Sequence, residues 1–315
     1  MGNSTSPATL RVAAAQYEPE WLDLQASVAK TCAIIEEAGK KGVKVLGFSE
    51  AFIPGYPAWI WQRPLDPVLS TKYIQNSLAV DSDEMRTIQK CSAENGVVVA
   101  LGFSENDHNS VYIAQALIDS DGKLLMTRRK LKPTHMERTI FGDASGDSLR
   151  NGALTKIGKR SYQQLNVHGS FADNKFVLPG DGLLTWCLSL AQTYAVETQT
   201  FVLHATTVIS SKGVDAMSTA QSMLMNKPGG GYSAVIGPDG RRLTEPLDPS
   251  TEGLVIADVD PNMAIMARSF LDICGHYSRP DLLWLGCDTR ERRHKIDEAG
   301  AVQAAAQKGA EEENE

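Results

Sequence analysis

Cysteine is scarce and scattered in this 315-residue chain: Cys32, Cys91, Cys187, Cys274 and Cys287 form no C-x-x-C pair. That spacing excludes a thiolate zinc ribbon and a disulfide framework, and it fits a reducing, cytoplasmic setting. The six histidines show no ligand spacing either, so no metal site is expected. Long apolar runs are missing as well. Residues 97–103 form one of the longest, well under the roughly 20 residues that a membrane-spanning helix needs. Residues 1–10 are polar and lack the apolar centre of a signal peptide. Positive charge is not in excess: 31 Lys and Arg face 38 Asp and Glu, a formal net charge of −7. That balance argues against a nucleic-acid surface, and no basic stripe with interleaved aromatics offsets it. Lys227-Pro228-Gly229-Gly230-Gly231 is glycine-rich but lacks the Ser/Thr end of a phosphate-binding loop.

What is present reads as a globular α/β protein, with 42% hydrophobic and 22% charged residues. Apolar runs at 10–17, 43–48, 97–103, 111–118, 201–209 and 253–259 predict buried strands. Helical spacing predicts helices over 23–41, 81–93, 186–198 and 262–273, the second opened by a capping box of Asp81 and Glu84. Asp119-Ser120-Asp121-Gly122 and Gly237-Pro238-Asp239-Gly240 read as hairpin turns. Alternating strands and helices with two hairpins imply layered α/β architecture with mixed sheets. Residues 1–8 read as a flexible N-terminus, 9–287 as one domain and 288–315 as a solvated tail. The segment 150–185 is the anomaly: little periodic apolar pattern, and the composition of a loop too long for a compact domain.

Two apolar runs end alike, in Gly47-Phe48-Ser49-Glu50 and Gly102-Phe103-Ser104-Glu105. Carboxylates at the ends of buried strands either cap them in solvent or serve chemistry. Glu50 alone is followed by a rigid aromatic stretch, Pro54-Gly55-Tyr56-Pro57 with Trp59 and Trp61, suited to lining an apolar pocket. Arg128-Arg129-Lys130-Leu131-Lys132 reads either as a solvated face or as a strand end with one cation turned inward. Pro133 turns the chain there, and Glu137 lies four residues on, placed to orient an inward lysine.

These segments resemble the nitrilase superfamily of carbon–nitrogen hydrolases. Phe48-Ser49-Glu50-Ala51-Phe52-Ile53-Pro54-Gly55-Tyr56-Pro57 is similar to its catalytic-glutamate motif. Arg129-Lys130-Leu131-Lys132-Pro133-Thr134-His135-Met136-Glu137-Arg138 is similar to its catalytic-lysine motif. Asn76-Ser77-Leu78-Ala79-Val80, Gln192-Thr193-Tyr194-Ala195-Val196-Glu197 and Gly275-His276-Tyr277-Ser278-Arg279-Pro280-Asp281 are further family-like stretches. The resemblance covers roughly 9–148 and 187–288, and its flavour is that of fungal nitrilases acting on aromatic or arylacetonitriles, with cyanide hydratases as relatives. It implies a four-layer α-β-β-α sandwich and cofactor-free hydrolysis of a small-molecule nitrile to a carboxylic acid and ammonia. It also implies self-association into a homo-oligomer or helical filament. Glu50 takes the role of general base, Lys130 that of the cation stabilising the tetrahedral intermediate, and Glu137 that of the accessory carboxylate.

The resemblance also implies a nucleophilic cysteine on a strand after the lysine motif, and this chain departs from it there. Ala153-Leu154-Thr155-Lys156-Ile157-Gly158-Lys159 resembles the approach to that strand. At the cysteine's expected place the chain reads Gln164-Leu165-Asn166-Val167-His168, so the fold is expected to be missing or distorted there. Cys187, at the start of a helix, is the candidate substitute. Two alternatives follow: a catalytically inactive homologue or product of an altered transcript or gene model, and a cyanide hydratase.

Overall fold

The computed structural model describes residues 9–149, 152–157, 166–169, 182–222, 225–273, 275–284, 286 and 288. The expected flexible N-terminus and nearly all of the expected tail lie outside them. Strand β1 (Leu10–Gln16) is an almost fully buried apolar run. Asp23 opens helix α1 (Leu24–Lys40) by accepting the Ala26 N–H, and Val28, Thr31, Ile35 and Ala38 recur on its buried face. β2 (Val45–Gly47) follows. Asp66 and Pro67 start α2 (Pro67–Asn76), a helix without a sequence-level expectation.

α3 (Asp83–Asn95) opens on Ser82, which accepts the Met85 N–H, and closes on Gly96 in the left-handed conformation. The cap therefore falls one residue later than the expected Asp81. β3 (Val98–Asp107), β4 (Ser110–Ile118) and β5 (Leu124–Arg129) form an antiparallel meander, with Asp119–Gly122 as the expected turn. β3 runs on past Phe103, so Glu105 lies inside the strand opposite Tyr112 rather than capping its end. Then come β6 (Asn166–Gly169), α4 (Gly182–Thr198), β7 (Val202–Ala205) and α5 (Ser211–Ala216). β8 (Ala234–Ile236), β9 (Gly253–Val259) and α6 (Asn262–Phe270) complete the described elements.

The strands form two mixed sheets. The larger runs β5-β4-β3-β2-β1-β9, with β1, β2 and β3 parallel and the outer strands antiparallel. The smaller runs β6-β7-β8, with β6 parallel to β7. Because side chains alternate across a strand, each sheet packs on both faces. Ala13, Leu46, Val99 and Leu101 meet Ile34, Ile35, Met85 and Ile88 of α1 and α3. Val12, Ala14, Val45 and Ala100 face Leu203, Ala205 and Val235 of the second sheet. The other face of that sheet, Val202, Ala234 and Ile236, packs on Ala191 and Ala195 of α4. The layers are thus α1 and α3, large sheet, small sheet, α4: the four-layer sandwich.

One expectation is corrected here. The segment 150–185 is not loop throughout, because 166–169 pairs as β6, with Asn166 beside Val202 through Gly169 beside Ala205. A four-residue strand carries too little pattern to be separated from loop by period alone.

Candidate active site

Glu50 stands just beyond the end of β2, the middle parallel strand, where the chain leaves the large sheet. Its loop is laid against β3 by backbone bonds: Phe52 N–H donates to Gly102 O (2.9 Å) and Ser104 N–H to Ile53 O (2.8 Å). Gly102 makes that approach possible, since a Cβ there would stand 2.1 Å from Ser49 O. Ala51 takes a left-handed φ of 50°, and the Ser49 hydroxyl lies 2.7 Å from that of Thr207, on the loop after β7. Both sheets therefore fix this carboxylate.

Lys130 directly follows β5. Its N–H donates to Ile113 O (2.7 Å), and its carbonyl accepts the Ala144 N–H (3.3 Å). Pro133 then turns the chain into a 3-10 turn, His135–Thr139, capped by Thr134. In that cap Glu137 accepts the Thr134 N–H at 2.6 Å, so a local folding motif sets the carboxylate in place. The Lys130 ammonium lies 3.0 Å from Glu137 Oε2 and 3.3 Å from Glu50 Oε1. The Glu137 and Glu50 side chains are only 3% and 14% exposed. Burial pulls the ammonium's pKa down, but the two carboxylates outweigh it and hold the value above that of an ordinary lysine. The lysine is a fixed cation at neutral pH.

The aromatic stretch supports this cluster. Trp61 Nε1 donates to the Tyr56 hydroxyl (2.9 Å), and that hydroxyl donates to Glu137 Oε1 (3.3 Å). An indole N–H is donor only, so it occupies a lone pair of the phenol and turns the phenol's own hydrogen toward Glu137. Trp61 also stacks on His135, at 5.6 Å and 8°. Behind them Trp59, Tyr73 and Phe141 make edge-to-face contacts.

The basic run splits by strand alternation, and both readings of it hold in part. Lys130 turns inward. Lys132 is exposed beside Asp143. Arg129 takes the opposite face of β5 and makes a bidentate pair with Glu105 (2.7 and 2.8 Å) and a bond to Asp107 (2.8 Å). Its guanidinium lies 3.7 Å above the Tyr112 ring, on the strand between. Of the two look-alike glutamates, Glu50 joins the cluster and Glu105 holds Arg129.

Cys187 lies on α4, the helix that packs against the small sheet. It is the sixth residue of α4, which begins at Gly182, so it lies beyond the first turn, where the helix dipole acts. It falls in line with Ala191 and Ala195, the stripe that packs on the face of the small sheet turned away from the large one. Cys32 and Cys91 are on α1 and α3; Cys274 and Cys287 lie outside the described residues. Among the described residues no group of histidine, cysteine and carboxylate side chains is arranged to hold a metal. A cleft of about 430 Å³ between α4, the Gly237–Gly240 turn and α6 includes none of the cluster.

A half-buried ammonium between two carboxylates, one of them just past the end of a parallel strand, can move protons and stabilise a developing anion. Comparison with known proteins agrees with that chemistry. Residues 11–269 match the carbon–nitrogen hydrolase family model. An arylacetonitrilase of Aspergillus kawachii is 50% identical over 320 aligned positions, covering 95% of this chain and 98% of that protein. One from Aspergillus niger is also 50% identical, covering 92% and 95%. The first alignment is longer than this chain, so the relative has positions that the chain lacks. Among solved structures, a Helicobacter pylori carbon–nitrogen hydrolase shares the fold at a TM-score of 0.62 and 14% identity, covering 87% of this chain and 96% of that one. A nitrilase-superfamily amidase from Nesterenkonia, carrying a cysteine-to-serine change, does so at 0.58 and 18%, covering 85% and 98%.

Proposed function

Because the chain belongs to the carbon–nitrogen hydrolase family, we propose that Glu50, Lys130 and Glu137 form the hydrolytic machinery of a site built for nitriles, arylacetonitriles foremost. The observation that carries this reading is the Lys130 ammonium held at 3.0 and 3.3 Å from two carboxylates on separate segments. Glu50 is the general base, taking a thiol's proton and later activating water. Lys130 supplies preorganised positive charge where negative charge develops, and Glu137, held by Thr134 and Tyr56, positions it. A thiolate adds to the nitrile carbon to give a thioimidate. One water then releases ammonia, leaving a thioester, and a second releases the carboxylic acid. The arylacetonitrilases that resemble this chain along nearly its whole length support the substrate class.

The thiol is what this chain lacks in its expected place, where residues 164–168 read Gln-Leu-Asn-Val-His. A covalent hydrolase without its nucleophile keeps only binding and electrostatics and loses several orders of magnitude in rate. The purified chain is therefore expected to release no ammonia from phenylacetonitrile or benzonitrile. Ammonia release abolished by Cys187→Ala would overturn this and make Cys187 the nucleophile.

The second reading is a non-catalytic member, or the product of an altered transcript. It is supported by residues 160–185, which do not read as the cysteine-bearing strand that the resemblance implies there. Sequencing the transcript across 148–190 tests it. Turnover of cyanide, and not of arylacetonitriles, in the same assay would favour cyanide hydratase. Self-association belongs to the same proposal. It is supported by α6, which has no buried residue and exposes Ile265, Met266 and Phe270. Light scattering on the eluted protein measures the subunit count. No helix among the described residues is long and apolar enough to cross a membrane.

A further inference from the structure

We propose that Cys32 and Cys91 are a modification site: a thiol pair that a hydroperoxide oxidises to a disulfide between α1 and α3. The two helices pack side by side on the outer face of the large sheet. Their approach is close, since a Cβ added at Gly39 of α1 would stand 2.9 Å from Asn95 Cβ of α3. Cys91 Sγ lies 3.4 Å from the Cys32 carbonyl oxygen and 3.6 Å from Asn95 Nδ2. The two side chains are also close enough for each to shift the other's titration, Cys32 upward and Cys91 downward. The two sulfurs are therefore neighbours, and Cys32 is partly open to solvent. Neither thiol has a part in the nitrile chemistry.

The surroundings give the pair unequal roles. The neighbouring Cys32 thiol, with a smaller contribution from Asn95, holds the Cys91 thiol below the ordinary value, against burial and the carboxylates of Glu94 and Glu36. The neighbouring Cys91 thiol, then burial, pushes Cys32 up. Cys91 is thus the sulfur that ionises first and attacks. Its thiolate takes one oxygen of the hydroperoxide, the O–O bond breaks, and water or an alcohol leaves after protonation. The Cys32 sulfur then attacks the resulting sulfenic acid, the S–S bond forms, and the hydroxyl leaves as water with the Cys32 proton. Two thiols are oxidised by two electrons, and the peroxide is reduced by two. The bridge closes a loop over residues 33–90, which contains Glu50, Tyr56 and Trp61, so it ties together the ends of the segment that builds half of the candidate site.

The test uses the full chain treated with hydrogen peroxide, then alkylated and mapped by mass spectrometry. The expected result is loss of alkylation at two of the five cysteines and a Cys32–Cys91 linked peptide two hydrogens lighter than its parts. Dithiothreitol should restore both thiols. Cys32→Ser, at the more open position, should abolish the linked peptide and leave Cys91 as a sulfenic acid that dimedone traps. Three results would overturn the proposal: both thiols still alkylated, a bridge that engages Cys187 instead, or Cys91 passing to the sulfinic acid with Cys32 unchanged.

Discussion

Replacing Glu137 by Gln keeps the shape of a side chain that is 3% exposed and removes its charge. The carboxylate accepts three hydrogen bonds, from the Thr134 N–H, the Lys130 ammonium and the Tyr56 hydroxyl. Glutamine keeps one acceptor oxygen, so at least one of these donors faces an NH₂ group. Charge-assisted bonds contribute about 1.5–3 kcal/mol each, and breaking a buried ion pair costs about 3–5 kcal/mol. Glu50 still faces Lys130 at 3.3 Å, which limits the loss to roughly 2–4 kcal/mol. Urea unfolding at pH 7 should therefore show a lowered midpoint at an unchanged slope. The pH dependence has a definite sign. Lys130's folded-state pKa is raised, so the stability it contributes is fully present below the unfolded lysine value, about 10.4, and is lost as pH rises through the folded value. The penalty of Glu137→Gln should thus be constant from pH 7 to 9 and shrink above about pH 10. A penalty below about 0.5 kcal/mol, within the range of ordinary surface changes, would refute the description of Glu137 as the buried anchor of Lys130.

Three further perturbations probe the supports. Tyr56→Phe removes the donor to Glu137 and strands the Trp61 N–H, which should cost about 1–2 kcal/mol; a double-mutant cycle with Glu137→Gln should give non-additivity of at least about 0.5 kcal/mol. Arg129→Lys loses the bidentate pair and the stacking on Tyr112, and thermal unfolding should show a loss of about 1–3 kcal/mol, whereas Lys132→Ala should stay within about 0.5 kcal/mol. Gly102→Ala drives a methyl group against Ser49 O, and should destabilise by about 1–3 kcal/mol or more in the same measurement.

Much of this was legible because the deciding physics is local. Glu50 follows a short apolar strand, and Glu137 sits at the position from which a capping residue reaches back to Thr134, so chain spacing alone pairs it with an inward Lys130. Asp23 and the two hairpin turns are local signals of the same kind. The rest depends on contacts between distant segments. Arg129 finds Glu105 across Tyr112 only when three strands align in register, and no sequence period reports that. Ser49 meets Thr207 because two sheets stack. Tyr56 and Trp61 read as a pocket wall, yet the Trp61 N–H donates to Tyr56, whose hydroxyl donates to Glu137. Asp81 reads as the cap because Glu84 stands three residues on, yet Ser82 takes the position; aspartate and serine are equally good caps, and only the backbone geometry separates neighbours. β6 was missed because its pairing with β7 comes from the small sheet rather than from its own four residues.

The most direct test replaces residues 150–185 with the corresponding segment of the Aspergillus kawachii relative and measures ammonia from phenylacetonitrile. The account predicts turnover in the chimera, its loss on Glu50→Gln or Lys130→Met, and none from the parent chain. Ammonia from the parent at a comparable rate, or a chimera indifferent to Glu50 and Lys130, would contradict it.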